Sequence, residues 1–82
     1  MINAPSAPLI QKWLVEKLAG ELRIDPSEVD VKMPLISMGL DSIAAFTLTG
    51  DMAVWLDREL PSTLLWEYPS IEELSEHLSS GN

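Results

Sequence analysis

Along this chain apolar residues recur at helical spacing, and nowhere do they alternate with period two over a strand's length. Leu9, Ile10, Trp13, Leu14, Leu18 and Leu22 fall at i, i+3 and i+4 intervals, which predicts an amphipathic first helix of about four turns. Residues 1–7 read as a flexible lead-in, with Pro5 inside it and Pro8 just after. Asp25-Pro26-Ser27-Glu28 sets a capping residue, a proline at the next position and a glutamate three residues on, the makings of a tight helical turn that reverses the chain. Asp30 to Leu40 is predicted as a loop. Pro34 excludes regular structure there, and Val31, Leu35, Ile36 and Met38 are expected to pin it to the core.

A second helix is predicted from Ser42 to Leu56, although Gly50 costs it roughly 1 kcal/mol against alanine. Pro61 blocks its extension. A short helix over Ser62–Trp66 and a last one over Ile71–Leu78 follow. Pro69 keeps Tyr68 out of the last helix, Ser70 caps it and Glu73 completes an S-x-x-E box. The prediction is an all-α four-helix bundle, three main helices and one short one, forming one domain over residues 8–80. Ala45, Leu48, Met52 and Leu56 lie on one stripe of the second helix and should face the core, against Leu14, Leu18, Leu74 and Leu78.

Composition narrows the function classes. Eighty-two residues, 46% of them apolar, are enough for one small core. There is no cysteine, hence no disulfide framework, thiolate metal site or cysteine nucleophile. The uncharged runs Met33 to Leu40 and Ser42 to Gly50 are too short and too polar to span a membrane. No basic stretch followed by an apolar one opens the chain, so a cytoplasmic protein is expected. Net charge is −8, and it is lopsided. Residues 1–32 carry four basic and five acidic groups, whereas residues 33–82 carry Arg58 alone against eight acids. Such a surface does not hold nucleic acid through its phosphates, which needs clustered Lys and Arg. It suits basic partners, or simply keeps the protein dissolved.

Catalytic equipment is sparse. His77 is the sole histidine, and its neighbours Glu73 and Glu76 point to a solvent-facing residue near the end of the last helix. No G-x-S-x-G elbow, phosphate loop or calcium loop is present. Glu72, Glu73 and Glu76 read as a solvated helix face, and no metal site is expected.

The candidate chemistry sits in Gly39-Leu40-Asp41-Ser42-Ile43. Gly39 permits a sharp turn, Asp41 is suited to cap the second helix, and Ser42 then stands at the first helical position with the positive end of the helix dipole beneath it. A phosphate ester there would be stabilised by free backbone amides. The bland reading of Asp-Ser at a helix start is a cap alone.

These five residues resemble the G-x-D-S-[LI] site of acyl carrier proteins. The later stretch Leu60-Pro61-Ser62-Thr63-Leu64-Leu65-Trp66-Glu67-Tyr68-Pro69-Ser70-Ile71-Glu72-Glu73-Leu74 resembles the L-P-x-T-L-[LIV]-[FWY]-[DE]-Y-P-[ST]-[IV]-x-x-L segment of carrier domains of the polyketide-synthase type. The two motifs lie between residues 39 and 74. The resemblance implies the acyl-carrier bundle, a non-catalytic role, and 4′-phosphopantetheine attached to Ser42 from coenzyme A by a phosphopantetheinyl transferase. The other partners implied are an acyl-loading enzyme (a fatty acyl-AMP ligase or an acyltransferase) and a ketosynthase or condensing enzyme, with the carrier itself a monomer. Leu48 to Pro61 is similar to the L-x-G-[DE]-[LM]-x-x-[WR]-L-x-R-x-L-x pattern of carriers that accompany fatty acyl-AMP ligases, and suggests a fatty acyl starter unit. Those carriers usually read S-P-T-L where this chain has Pro61-Ser62-Thr63-Leu64.

One departure concerns docking. Fatty-acid-synthesis carriers present acidic residues along the outward face of the second helix; here that face is Ile43, Thr47, Gly50 and Val54, with Ala44 beside it. Recognition by apolar contact is expected, with Asp41, Asp51, Asp57 and Glu59 as a charged rim. Trp55 and Trp66 are expected in the core. Two alternatives stand beside this reading. One is a peptidyl carrier of a nonribosomal synthetase, against which Leu40-Asp41 argues, since those carriers read G-G-[HD]-S. The other is an acidic helical adaptor in which Ser42 is never modified.

Overall fold

In the computed structural model, which describes residues 5–79, the regular structure is helical. Ser6, in extended conformation, accepts from the Leu9 amide and opens α1, Ala7–Leu22, with Pro8 in the first turn where its missing amide costs nothing. Ala7, expected in the lead-in, already belongs to the helix. Residues 1–4 of that lead-in, and residue 80 at the far limit of the expected domain, lie outside the described residues. Arg23 closes α1 in the left-handed conformation (φ 58°), and the Ile24 amide bonds back to the Ala19 carbonyl.

The turn at Asp25 forms as expected. Pro26–Glu28 is a 3₁₀ turn with a reciprocal capping box: Asp25 Oδ1 accepts from the Ser27 amide at 2.9 Å, and Glu28 Oε1 from the Asp25 amide at 3.2 Å. The Ser27 bonds favour the ionised form and hold the Asp25 carboxyl below the ordinary 3.8 of an aspartate.

The predicted loop contains a second 3₁₀ turn, Leu35–Met38. It is sewn to the segment before the last helix. The Leu35 amide donates to the Pro69 carbonyl at 2.8 Å and the Glu72 amide to the Val31 carbonyl at 2.9 Å. Leu35 is buried and Val31 and Met38 pack against the core, but Ile36 is half exposed and does not pin the loop as expected. A 3₁₀ turn repeats every three residues, so with Leu35 inside, its neighbour Ile36 is carried outward.

α2 spans Ser42–Leu56, α3 is the single turn Leu64–Glu67, and α4 runs Ile71–Ser79. The short helix begins two residues later than predicted, because Thr63 takes its cap position without a side-chain bond. Ser70 and Glu73 make the expected box at α4: Ser70 Oγ accepts from the Glu73 amide and donates to its carboxylate. The core is one cluster in which Ile10, Leu14, Leu18, Met52, Leu64, Ile71, Leu74 and Leu78 are fully buried. Their summed burial is the main force holding so small a bundle. Leu56, expected inside, is only partly covered, because it ends α2.

α1 packs most extensively on α4; two contacts tie α2 to α1, and a third ties the residues just after α2 to α4. Trp13 and Trp55 stack with ring centroids 4.8 Å apart and planes 6° off parallel, Lys17 Nζ lies 3.5 Å from Asp51 Oδ2, and Arg58 donates to the Leu78 carbonyl at 3.5 Å. Trp55 is therefore structural, as expected. Trp66 is not: it is 58% exposed on α3, whose single turn buries Leu64 and Leu65 and leaves the next residue outside. His77 also departs from expectation. It is half buried and stacks on Tyr68, centroids 4.0 Å apart, because the turn after α3 brings that ring over α4. No described helix is long and apolar enough to cross a membrane.

Candidate functional site

The 3₁₀ turn ends at Gly39, whose φ of 101° lies where a side chain is strained. Its amide bonds to the Ile36 carbonyl at 3.1 Å. A Cβ there would meet only Leu22 Cδ2, at 3.9 Å. The need for glycine is therefore conformational rather than steric. Leu40 then turns inward and is 2% exposed, so the chain is anchored one residue before it leaves the core. Asp41 is extended (φ −85°, ψ 176°) and caps α2: its Oδ1 accepts from the Ala44 amide at 2.8 Å, and its carbonyl from the Ala45 amide at 2.9 Å.

Ser42 follows as the first residue of α2, exposed. Amides at the first helical positions have no intrahelical carbonyl, and with Asp41 engaged on Ala44 those of Ser42 and Ile43 remain to face an incoming anion. No acidic residue occupies the first turn of α2. The partial positive charge of the helix end stands unopposed except by Asp41. This arrangement fits a phosphodiester on the Ser42 hydroxyl. His77, the one histidine, is on α4 stacked against Tyr68, and the Asp41 carboxylate beside Ser42 is engaged by the Ala44 amide as the helix cap.

Gly39, Leu40, Asp41 and Ser42 are therefore consecutive parts of one helix entry, and the outer face of α2 carries most of the predicted docking residues. Ile43 is 77% and Val54 82% exposed, and Thr47 and Gly50 are exposed too. Asp51 differs. Its ion pair with Lys17 ties it to α1 at the edge of this face, a contact between elements that spacing along one helix does not reveal. Phe46, 70% exposed, belongs to the same face, although the apolar stripe read from spacing does not include it. At 100° per residue it sits about 40° round from Ser42, next to the stripe through Ile43 and Gly50. That angle is the signal in the sequence that could have found it. Among the described residues no group of three or more His, Asp or Glu is placed to hold a metal.

Comparison with known proteins gives the family. Residues 12–78 match the family described as "Phosphopantetheine attachment site". Among curated proteins, the chain is 30% identical over 71 residues to a phenolphthiocerol/phthiocerol polyketide synthase of Mycobacterium tuberculosis, covering 87% of this chain and 4% of that one. It therefore spans only a small part of such relatives. Among solved structures, a free-standing peptidyl carrier protein from Acinetobacter baumannii superposes with a TM-score of 0.87 at 36% identity, covering 93% of this chain and 95% of that one. An acyl carrier protein from Anabaena sp. PCC 7120, which has a variant phosphopantetheinylation-site sequence, superposes with a TM-score of 0.88 at 33% identity, covering 96% and 90%. Carriers of this kind perform no catalysis themselves and hold 4′-phosphopantetheine covalently. The helical bundle, the matched span and these likenesses place the chain in the phosphopantetheine attachment-site family, as a non-catalytic carrier domain of the acyl carrier protein type.

Proposed function

We propose that Ser42 is the attachment residue and that the carrier unit, residues 8–80, ferries acyl intermediates between enzymes of polyketide or lipopeptide assembly. The observation that carries this reading is the exposed Ser42 at the first position of α2, behind the Gly39 turn and the Asp41 cap. In the attachment step the Ser42 oxygen bonds to the β-phosphorus of coenzyme A. The pyrophosphate bond breaks, adenosine 3′,5′-bisphosphate leaves, and the hydroxyl proton passes to a base of the phosphopantetheinyl transferase. Once bound, the group supplies the thiol that this chain lacks and holds acyl groups as thioesters. Everything else is presentation: Asp41 and Leu40 fix where the helix begins, and the outer face of α2 meets the partner. The need for coenzyme A as donor argues for the cytoplasm, and we take the carrier to act as a monomer.

Partners on this reading are the transferase, an acyl-loading enzyme and a ketosynthase or condensing enzyme. Ile43, Thr47 and Val54 supply apolar contact, and Asp51 contributes to the rim while holding Lys17. The Leu48–Pro61 pattern supports a fatty acyl starter unit delivered by a fatty acyl-AMP ligase. A second reading, a peptidyl carrier, is favoured by the likeness to the Acinetobacter protein, while Leu40-Asp41 in place of Gly-His or Gly-Asp speaks for the first. Incubation with coenzyme A and a broad-specificity transferase, followed by intact-mass measurement, tests the common core of both. A folded protein that gains no mass would instead support an unmodified adaptor.

A further inference from the structure

Two large apolar side chains flank Ser42 in open solvent: Ile43 is 77% exposed and Phe46 70%. Phe46 lies one turn along α2 on the flank of Ser42 itself, and the run Ser42 to Gly50 that holds both carries no charge. A helix of a small bundle ordinarily turns such residues inward, and a solvated apolar patch beside a functional residue marks something that covers it. Resting on the assignment of Ser42, we propose that Ile43 and Phe46 form a resting surface for the carrier's own cargo: a saturated acyl chain tethered through Ser42 folds back onto this stripe and stays out of the core.

The tether decides the occupant. Any group carried from Ser42 reaches these side chains intramolecularly, at an effective concentration of the order of millimolar. Weak apolar contact is then enough to populate the folded-back form. The interior offers a poorer berth. Met52, Leu64 and Leu74 are fully buried in one close-packed cluster, and α1 and α2 are bridged by the Trp13–Trp55 stack and, at the surface, by the Lys17–Asp51 pair. Admitting a chain there would break that packing. Each methylene that lies on the stripe multiplies the ratio of folded-back to free cargo by up to about four. Occupancy therefore rises with chain length, and a long cargo screens the face that a partner must reach.

The test uses the full chain labelled with ¹⁵N and ¹³C, loaded with acetyl-, hexanoyl- or decanoyl-pantetheine from the corresponding acyl-coenzyme A by a transferase. The decanoyl form should shift the amides of Ile43, Phe46 and Thr47 and show contacts between chain methylenes and the Phe46 ring. The hexanoyl form should do so less and the acetyl form not at all, with the methyls of Met52 and Leu74 unmoved. In Ile43→Ser/Phe46→Ser, checked by mass to carry the decanoyl group and by its amide spectrum to keep the fold, the decanoyl shifts should vanish. Contacts from decanoyl to Met52 or Leu74, or a decanoyl spectrum matching the acetyl one, would overturn the proposal. A wild-type chain that takes up no acyl-pantetheine, seen by mass before any spectrum, would remove the assignment of Ser42 and this proposal with it.

Discussion

Ser42 owes its position to the three residues before it, and each does a separable job. Gly39 supplies a φ of 101°, Leu40 anchors the chain in the core and Asp41 starts the helix. Asp41→Ala leaves the Ala44 amide without its acceptor, so it should cost about 1 kcal/mol. The urea midpoint should fall with the slope unchanged. Because the start of α2 frays, transfer of pantetheine to Ser42 should slow in the same variant, and Asp41→Asn, which keeps an accepting oxygen, should recover most of the stability. Asp25 gives a second residue-scale expectation. Its carboxyl sits below the ordinary 3.8 through bonds from Ser27. A depressed carboxyl stabilises the turn above its unfolded value, and that contribution is lost as pH falls through the folded one. The Asp25 carboxylate resonance should therefore titrate below 3.8 in the folded protein, and a midpoint at or above that value would contradict the hydrogen bonds described.

Helix α2 divides into a core side and an outer side, and much of that division is legible from spacing alone. Ala45, Leu48 and Met52 are buried, and Ile43, Thr47 and Val54 exposed, where the periodicity puts them. Phe46 escapes because an aromatic residue next to a predicted stripe attracts no notice until its angle about the helix is worked out. The 3₁₀ turn Leu35–Met38 is hidden for a different reason. It depends on the bond from the Leu35 amide to Pro69, far along the chain, and local pattern carries no trace of it. Trp66 is misplaced because a one-turn helix has no periodicity from which to read a face, and His77 because the Tyr68 ring stacked on it comes from the turn before α4. Docking is argued at this scale too. Val54→Glu should slow acyl loading several-fold while the helical signal stays unchanged, because Val54 is 82% exposed and lies outside the core cluster. The rate should depend only weakly on salt between low and physiological strength. A steep salt dependence with an indifferent Val54→Glu would favour an acidic docking face instead.

At the scale of the whole molecule, a chain of eighty-two residues folds into a helical bundle with an exposed serine at the start of α2 and its sole histidine engaged elsewhere, against Tyr68. The two motifs, their spacing and the helical periodicities make the fold, the family and the helix entry at Gly39–Ser42 readable from the sequence. The ties between helices, Trp13 to Trp55 and Lys17 to Asp51, require the assembled structure. The nature of the cargo is a property of the enzymes that load it. If the starter-unit reading holds, a fatty acyl-AMP ligase with ATP and a free fatty acid should load the pantetheine-bearing protein, because an acyl adenylate needs only an oriented thiolate to react. Malonyl transfer from malonyl-coenzyme A by an acyltransferase should then be slow, and product mass separates the two. Efficient malonyl loading with no transfer from any ligase would make this an extender-unit carrier.

The central claim, that one serine of this chain bears the prosthetic group, is tested most directly by fragment-mapped mass spectrometry of the protein after reaction with coenzyme A and a broad-specificity transferase. Wild type should gain a single phosphopantetheine, localised to Ser42, while Ser42→Ala gains none and Ser37→Ala behaves as wild type. A group found on Ser37, Ser62 or Ser70, or a Ser42→Ala protein that still gains the full mass, would contradict it.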